Sequence, residues 1–168
     1  MALRNIRVDE DPILRKKARN IDEITDRIHT LQMDMLETMY HSEGVGLAAN
    51  QVGILRRIIV IDVGEGPITM INPVLIDEEG CQKGLEGCLS LPEVTGKVTR
   101  PEKVKVEYMD MEGETQVLEG EGLLAIAVCH EIDHLNGILF TDRVEEDDEE
   151  EEDDEDFEET AIFEEVEE

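Results

Sequence analysis

GLLAIAVCHEIDHLNG, residues 122–137, is the segment around which this chain is expected to fold. Residues 123–128 are apolar throughout, which predicts a helix buried in the core. Gly137 stands where a glycine commonly ends a helix in the left-handed conformation. The polar residues in between therefore lie at the C-terminal end of a core helix, where buried polar groups require partners.

Two histidines and a glutamate of this helix have the spacing of a metal site. His130 and His134 are four residues apart, so both imidazoles project from one helix face. Two such ligands suit a tetrahedral divalent cation, and Glu131, beside that face, can exchange a proton with a water on the metal. The alternative interpretation of H-E-x-x-H is two partly buried histidines at a charged helix end.

A catalytic metal needs a third protein ligand. In the extended metalloprotease pattern H-E-x-x-H-x-x-G-x-x-H the last histidine falls on Phe140, which cannot bind a metal. Cys88, in the Gly-bearing segment EGCLS at residues 86–90, is the better candidate, because a thiolate is a strong ligand for zinc or ferrous iron. Its alternative role is that of a small buried apolar side chain.

The rest of the pattern predicts helices followed by strands. Apolar residues recur every three or four positions over residues 24–40, which predicts a helix capped by Asp22. Asp11-Pro12 predicts the start of an earlier helix, with Pro12 at the first helical position and residues 14–20 following. Strands are predicted over 56–63 and 68–77, with Pro73 marking an edge or a bulge, then a loop over 80–92 and a hairpin of 103–110 with 115–119. The order predicts an α+β fold: mostly antiparallel sheets packed around a C-terminal core helix that carries H-E-x-x-H, with N-terminal helices and an acidic tail.

The charge of the chain is concentrated at its C-terminal end. The 168 residues carry 44 acidic and 15 basic side chains, and 18 of the acidic ones but none of the basic ones lie in residues 145–168. We therefore interpret residues 1–144 as one domain and residues 145–168 as an acidic, low-complexity tail. The tail is expected to be a flexible, solubilising stretch. In the alternative interpretation its apolar residues anchor it on a basic partner surface; they are Phe157, Ile162, Phe163 and Val166.

The same charge argues against several classes of partner. A net charge of −29 opposes direct binding to DNA, RNA or anionic membranes. The first residues, MALRNIRVDEDP, lack the apolar core of a signal peptide, and the longest uncharged stretch, 44–55, is too short to span a bilayer. Cys81, Cys88 and Cys129 are an odd number, so we expect no disulfide framework. We expect a cytoplasmic monomer without membrane contact.

Three segments in one order resemble a known family. They are GVGLAANQ at 44–51, EGCLS at 86–90 and HEIDH at 130–134. Together they are similar to the peptide deformylases of bacteria, which remove the N-formyl group from nascent polypeptides, and the resemblance covers residues 2–144. It implies that the substrates are N-formyl-Met peptides, and that a hydroxide bound to the metal attacks the formyl carbon with release of formate.

The resemblance also implies roles for particular residues. The metal would be held by Cys88, His130 and His134; it would be Fe2+ in the cell, with Zn2+, Ni2+ or Co2+ able to replace it. Glu131 would be the catalytic glutamate. The amide of Gln51 and the backbone N–H of Leu89 would hold the developing oxyanion.

Substrate contacts follow from the same resemblance. The segment around Gly46 would pair with the substrate main chain as an added strand. The methionine side chain would enter a pocket next to His130 formed by Val45, Leu123, Ile126 and Ala127. We also expect Glu86 and Arg100 to form an ion pair that steadies the cysteine loop.

The chain departs from the family in three places. Thr95 stands where some members carry an arginine that helps to bind the peptide, and Gly84 stands where some carry an apolar pocket residue. Because of these two changes, the resemblance does not predict the substrate affinity or the side-chain preference. Many members end in a basic helix that contacts the ribosome, whereas this chain ends in an acidic segment, so ribosome docking is not carried over.

The sequence is also compatible with three other functions. A metalloprotease could use the same helix to cleave internal peptide bonds. A cysteine hydrolase could use Cys88 as nucleophile and His130 as base. A structural metal site or a binding module is disfavoured because structural zinc sites close with four protein ligands, and the sequence offers three good ones.

Overall fold

The secondary structure follows the order expected for an α+β fold. The computed structural model describes residues 2–145. Within this range there are two α-helices, three short 3-10 segments and seven strands. The helices are α1, Asp26–His41, and α2, Leu123–Leu135; the 3-10 segments are Pro12–Arg15, Ala49–Val52 and Phe140–Arg143; the strands are β1, Gly46–Ala48, β2, Ile58–Ile61, β3, Ile68–Glu79, β4, Gln82–Cys88, β5, Leu91–Arg100, β6, Lys103–Met109, and β7, Thr115–Glu121.

Antiparallel pairing organises these strands into two sheets. One sheet has five strands in the order β1-β2-β3-β6-β7, and the other is the hairpin of β4 and β5. All the strand pairs within the described residues are antiparallel. The predicted α+β class is thus confirmed. Strand β1 lies at one edge of the larger sheet and pairs with β2 on one side.

Strand β2 is buried on both faces because a helix packs on each. Successive side chains of a strand point to opposite faces. Ile59 and Ile61 accordingly pack in the cluster that contains α2, whereas Ile58 and Val60 pack in the cluster that contains α1. This alternation explains why β2 has the uninterrupted apolar sequence IIVI.

Helix α2 is the core helix that the sequence predicts. Its residues from Ala125 to Leu135 are all buried, including the polar ones. Gly137 follows with φ +76°, and a Cβ at this position would collide with the carbonyl oxygen of Arg15. Glycine therefore both ends the helix and lets the N-terminal segment pack closely against that end.

Helix α1 confirms the predicted second helix but begins later than expected. The cap position is Thr25, and Asp22 precedes the helix by several residues. The apolar stripe of the predicted helix is buried, with Leu31, Met35 and Met39 at 4% exposure or less.

The helix predicted from Pro12 to Asn20 forms only its first turn, and its continuation is wrong. A single 3-10 turn forms at Pro12–Arg15, where the Asp11 carboxylate accepts a hydrogen bond from Ile13 N at 3.1 Å. The chain then extends, because Ala18 N bonds to Leu135 O at 2.8 Å and Arg19 N bonds to Leu55 O at 3.1 Å. Tertiary partners for these backbone groups replace the bonds that a helix would have made.

The loop predicted over residues 80–92 is also wrong. Strand β4 fills most of it and pairs with β5 from Gln82↔Arg100 onward. Glycine weakens a strand that has no partner, so Gly84 and Gly87 predict a loop when the segment is considered alone. They are buried opposite Val98 and Thr95 in the ladder, which supplies the support that the isolated segment lacks. The correction matters because it puts Cys88 at the end of a paired strand.

The remaining strand predictions are confirmed. Pro73 coincides with a register shift between Ile71 and Val74, as expected for a bulge, and Asn72 there has φ +51°. Strands β6 and β7 form the predicted hairpin. The predicted flexible tail covers residues 145–168, of which all but Glu145 lie outside the described residues. Among the described helices, none combines the length and apolar character needed to cross a membrane.

Candidate active site

One sulfur and two imidazoles from distant parts of the chain converge in the core. Cys88 ends β4, and His130 and His134 lie on α2. Their ligand atoms are all within 4.8 Å of one another. Cys88 Sγ is 3.2 Å from His134 Nε2, which is 3.2 Å from His130 Nε2. All three side chains are buried, so the structure brings together the three residues predicted as metal ligands.

A carboxylate sets the orientation of the His130 ring. Glu86 Oε1 is 3.0 Å from His130 Nδ1. Burial alone would raise the pKa of Glu86, but hydrogen bonds from Arg100 and His130 outweigh burial and lower that pKa. An ionised carboxylate can only accept, so Glu86 binds the Nδ1–H of His130 and leaves Nε2 to face His134 and Cys88.

The donor set fits a divalent metal. The converging atoms are a thiol sulfur and two imidazole nitrogens, a combination that suits zinc or ferrous iron. Burial raises the pKa of Cys88 to about 12 and lowers the pKa of His134 well below its usual value. The two shifts favour the uncharged forms of Cys88 and His134. A cation would supply the charge that stabilises a thiolate there.

Glu131 lies beside this cluster with an unused oxygen. The side chain is buried, and its Oε1 is 4.0 Å from His130 Nε2. Its Oε2 has no hydrogen-bond partner within residues 2–145. Burial raises the pKa of Glu131 well above its usual value. A buried carboxyl group with a raised pKa and a free oxygen is suited to taking up and returning a proton.

The backbone of β1 comes directly up to Glu131. A Cβ added at Gly46 would lie 2.8 Å from Glu131 Oε1 and 3.0 Å from its Cγ. Only a residue without a side chain allows this approach. The segment GVGLAANQ at 44–51 and the motif HEIDH at 130–134 are therefore in contact at Gly46 and Glu131.

Gln51 is fixed so that its amide nitrogen faces the cluster. Its Oε1 accepts a hydrogen bond from Ala48 N at 2.9 Å. Because a backbone N–H can only donate, this bond assigns the oxygen and leaves Nε2 as the other end. Nε2 is 3.1 Å from Ser90 Oγ and 3.4 Å from Cys88 Sγ.

Leu89 follows Cys88 in the turn between β4 and β5. The next residue, Ser90, donates its backbone N–H to Cys88 Sγ at 3.4 Å. The β4-β5 hairpin thus positions both the sulfur and the backbone around it. Its pairing also leaves Thr95 exposed and Gly84 buried, the two positions at which the chain departs from the family.

The residues predicted to line a substrate pocket belong to one apolar cluster. Ile126 and Ala127 are buried, at 1% exposure each, and Val45 and Leu123 are partly buried against the same cluster. The two partly buried side chains lie at its accessible margin, whereas Ile126 and Ala127 lie inside it. Gly46 is buried at the start of β1.

The structure adds a charge network that the sequence reasoning saw only in part. The expected Glu86–Arg100 ion pair is present, with hydrogen bonds of 2.8 and 2.9 Å. Arg100 also donates to Asp133 at 2.7 Å, and Arg143 donates to Asp133 at 2.6 and 3.0 Å. The sequence signal for Asp133 was its position inside the H-E-x-x-H motif of a core helix, where a buried charge needs a partner.

Comparisons with known proteins agree with this site. A family model described as polypeptide deformylase matches residues 3–150. The peptide deformylase of Caldanaerobacter subterraneus subsp. tengcongensis is 61% identical over 144 residues, which are 86% of this chain and 91% of that protein. The crystal structure of peptide deformylase from Thermotoga maritima is 42% identical with a TM-score of 0.85, covering 87% of this chain and 100% of that chain.

A second solved structure carries an inhibitor. The peptide deformylase from Synechococcus elongatus in complex with actinonin is 44% identical with a TM-score of 0.82, over 84% of this chain and 78% of that chain. The family model covers most of this chain, and the relatives are covered over most of their own length. This chain therefore belongs to the polypeptide deformylase family.

Proposed function

We propose how the residues of this site perform the family's reaction, the removal of the N-formyl group from nascent peptides with release of formate. The observation that carries the proposal is the convergence of Cys88 Sγ with the Nε2 atoms of His130 and His134. The chain is a metal-dependent hydrolase, as its family relatives are, and its substrates are formylated peptides.

Cys88, His130 and His134 would hold one divalent metal. When bound, the cation would polarise a water molecule and the formyl oxygen. Three protein ligands leave room for substrate, as a catalytic site requires. We propose Fe2+ as the native ion because the family resemblance implies it. Zn2+, Ni2+ or Co2+ can replace it, because a sulfur and two imidazoles can bind all four.

Glu131 would move the proton. Its Oε2 has no partner among the described residues, so it is free to accept a proton from the attacking water. Its raised pKa favours holding that proton until the amide nitrogen of the leaving peptide takes it. The transfer needs no further group, because one carboxyl oxygen serves both steps.

Gln51 and Leu89 would stabilise the oxyanion. The Gln51 amide is oriented in advance by its bond to Ala48 N, so its Nε2 donor costs no reorganisation when charge develops on the formyl oxygen. The Leu89 backbone N–H is the second proposed donor, and it belongs to the same turn as Cys88.

The edge strand β1 would bind the peptide main chain. The strand pairs with β2 on one side, and its other edge can accept an added strand. Gly46 would let the substrate backbone approach Glu131 closely. Val45 and Leu123, at the accessible margin of the apolar cluster, would contact the methionine side chain, with Ile126 and Ala127 as the floor.

The rival functions fit less well. A cysteine hydrolase needs a thiolate, but burial raises the pKa of the Cys88 thiol to about 12. A structural zinc site needs a fourth protein ligand, and the His, Cys and acidic donors grouped here within residues 2–145 number three. A metalloprotease would use the same metal and glutamate, but the family to which this chain belongs acts on the formyl group.

The remaining assignments are part of the same proposal. Residues 1–144 would form the catalytic domain and residues 145–168 an appended acidic tail. We infer a cytoplasmic monomer that does not bind DNA and gains no ribosome contact from its acidic C-terminal segment, since the charge of that segment has the wrong sign for RNA.

Formate release from formyl-Met-Ala-Ser tests the mechanism. Anaerobically prepared wild-type protein is compared with Glu131→Gln, which keeps the shape of the side chain and removes its proton transfer. We expect kcat to fall by about a hundred- to ten-thousand-fold with unchanged metal content. Glu107→Gln, on the exposed part of β6, is the matched control and should retain full activity.

Two further assays separate the rivals. A chelator should abolish the activity of a metal enzyme but not that of a cysteine hydrolase. The unformylated peptide Met-Ala-Ser should be left intact by a deformylase, whereas a protease would cleave it. Equal rates for wild type and Glu131→Gln would remove the proposed mechanism.

A further inference from the structure

Four basic side chains cluster on a body that is otherwise acidic. Lys16, Lys17 and Arg19 follow the first 3-10 segment, and Arg56 precedes β2. We call these four residues the basic strip. Arg19 and Arg56 form an isolated parallel bridge, and Arg19 N donates to Leu55 O at 3.1 Å. The backbone therefore holds two arginines side by side.

The segment is anchored so that its charges face outward. Ala18 is buried at 4% exposure, and its N–H bonds to Leu135 O at 2.8 Å. Its neighbours Lys17 and Arg19 are exposed, as expected for alternate residues of an extended chain. The Lys16 carbonyl accepts a hydrogen bond from the Asn50 side chain at 2.8 Å. These contacts involve the backbone of the strip and not its cationic side chains.

The charges of the strip are not balanced within the body. Among residues 2–145, no carboxylate forms an ion pair with Lys16, Lys17, Arg19 or Arg56. Adjacent like charges repel each other, so the bridged arginines favour an anion beside them. Many other cations already have a carboxylate within 4.0 Å: Arg4, Arg7, Arg15, Lys83, Arg100, Lys103, Lys105 and Arg143.

The acidic tail leaves the body at Glu145, which bonds to Lys97 O and pairs with Lys83 on the β4-β5 hairpin, three residues after Asp142. Arg15, directly before the strip, donates to the Asp142 carboxylate at 2.5 and 3.1 Å. From Asp142 to Glu145, the last described residue, the chain can span at most about 11 Å. Residues 146–168 follow, with 17 acidic and no basic side chains. Fully extended, these 23 residues reach at most about 80 Å, far enough to cover the whole strip.

We propose that the basic strip is the docking surface of residues 146–168 of the same chain. Tethering gives the tail an effective concentration at the strip in the millimolar range, so weak ion pairs suffice. RNA is the other polyanion that such a strip could bind, but a chain of net charge −29 repels it. The docked tail would keep other polyanions off these four basic side chains. The proposal does not depend on the catalytic mechanism.

Carbodiimide cross-linking of the full chain tests this contact, because it joins a lysine to a carboxylate only where they touch. The tail contains no lysine or arginine after Arg143, so trypsin releases residues 144–168 as one peptide that mass spectrometry can follow. Lys83, 3.3 Å from Glu145, should join this peptide at low ionic strength in the wild type and in both variants, and is the internal reference there. We expect Lys16 and Lys17 to join it as well at low ionic strength.

Salt and two variants make the test specific. At about 1 M salt, where the Debye length is about 3 Å, the Lys16 and Lys17 products should fall about fivefold or more. The double variant Arg19→Ser with Arg56→Ser should lower them at least about twofold, because ion pairs with the tail are lost. The control Lys103→Gln with Lys105→Gln changes the net charge equally and should leave them unchanged. Thermal melts verify that both variants fold.

Three outcomes would overturn the proposal. The tail peptide could join Lys83 but neither Lys16 nor Lys17. A mixture of isotopically light and heavy protein could show that the products form between two chains. A fluorescent single-stranded RNA could bind the full chain and lose its binding in the Arg19→Ser, Arg56→Ser variant, which would make the strip a nucleic-acid surface.

Discussion

Arg100 donates two hydrogen bonds to the Glu86 carboxylate, at 2.8 and 2.9 Å, where both side chains are almost fully buried. Glu86 in turn accepts from His130, and Arg100 also donates to Asp133. These charged hydrogen bonds link the β4-β5 hairpin to helix α2. The ion pair connects the folding of β4 and β5 to the orientation of a proposed metal ligand.

Arg100→Ala should destabilise the protein and weaken its metal binding. Two carboxylates would remain buried without their cation, at a cost of about 3–5 kcal/mol in the free energy of unfolding. Loss of the support behind His130 should lower metal affinity by about 10- to 100-fold. Urea unfolding and competition with a chelator measure the two effects. Arg143→Ala, at the more exposed end of the network, should cost about 1 kcal/mol or less, and equal behaviour of the two variants would contradict this account.

Gly46→Ala should reduce activity without removing the metal. The new Cβ would lie 2.8 Å from Glu131 Oε1, closer than two such atoms can remain. Since displacement of a catalytic group by about 1 Å can cost about a hundredfold in rate, we expect kcat/KM to fall by about ten- to a hundredfold. The formate assay and metal analysis test this together, and full activity in the variant would show that Glu131 has no role in catalysis at its observed position.

Gln51→Glu should keep the acceptor end of this side chain and remove its donor end. The carboxylate can still accept the bond from Ala48 N, but it no longer donates toward the reacting oxygen. We expect kcat to fall by about a hundred- to a thousandfold, the usual effect of removing an oxyanion donor. Gln32→Glu, which removes an amide donor bonded to Thr69, is the control and should keep its activity. A variant that retained wild-type kcat would exclude Gln51 as a donor.

Tyr40→Phe should raise the pKa of Asp62. The Tyr40 hydroxyl donates to Asp62 Oδ2 at 2.6 Å, and this bond, with those from Gly64 and Gly66, holds the pKa of that carboxyl below its usual value. A lowered pKa in the folded state contributes stability above the unfolded pKa of about 3.9, and the contribution is lost as pH falls through the folded pKa. The variant should therefore be destabilised at neutral pH and approach wild type in acid. Carboxyl 13C NMR titration measures the shift, which should stay below normal because the glycine donors remain.

Truncation after Glu145 should leave the hydrolysis of short formyl-Met peptides almost unchanged. The residues of the proposed site lie between positions 45 and 134, and the contacts of Glu145 with Lys97 O and Thr99 are kept. The measurement is kcat/KM for formyl-Met-Ala-Ser in both proteins at equal metal content. A large loss would mean that the tail takes part in the reaction.

Helix α2 shows how much the sequence could predict. An apolar run, two histidines one turn apart and a terminal glycine are local features, because the period of a helix relates residues close in sequence. The β4 strand shows where local reasoning failed. Gly84 and Gly87 resemble loop residues until β5 is placed beside them, and no property of the segment alone reveals that partner.

The amino-acid sequence by itself determined the family, the α+β class and the identity of the three candidate ligands, because short motifs and periodicity carry this information locally. Only the tertiary structure decided that Glu86 supports His130, that Arg100 links Glu86 to Asp133, and that Lys17 and Arg19 lie in an extended strip instead of a helix. Each of these depends on bonds between residues far apart in the chain, and such partners are chosen by packing in three dimensions.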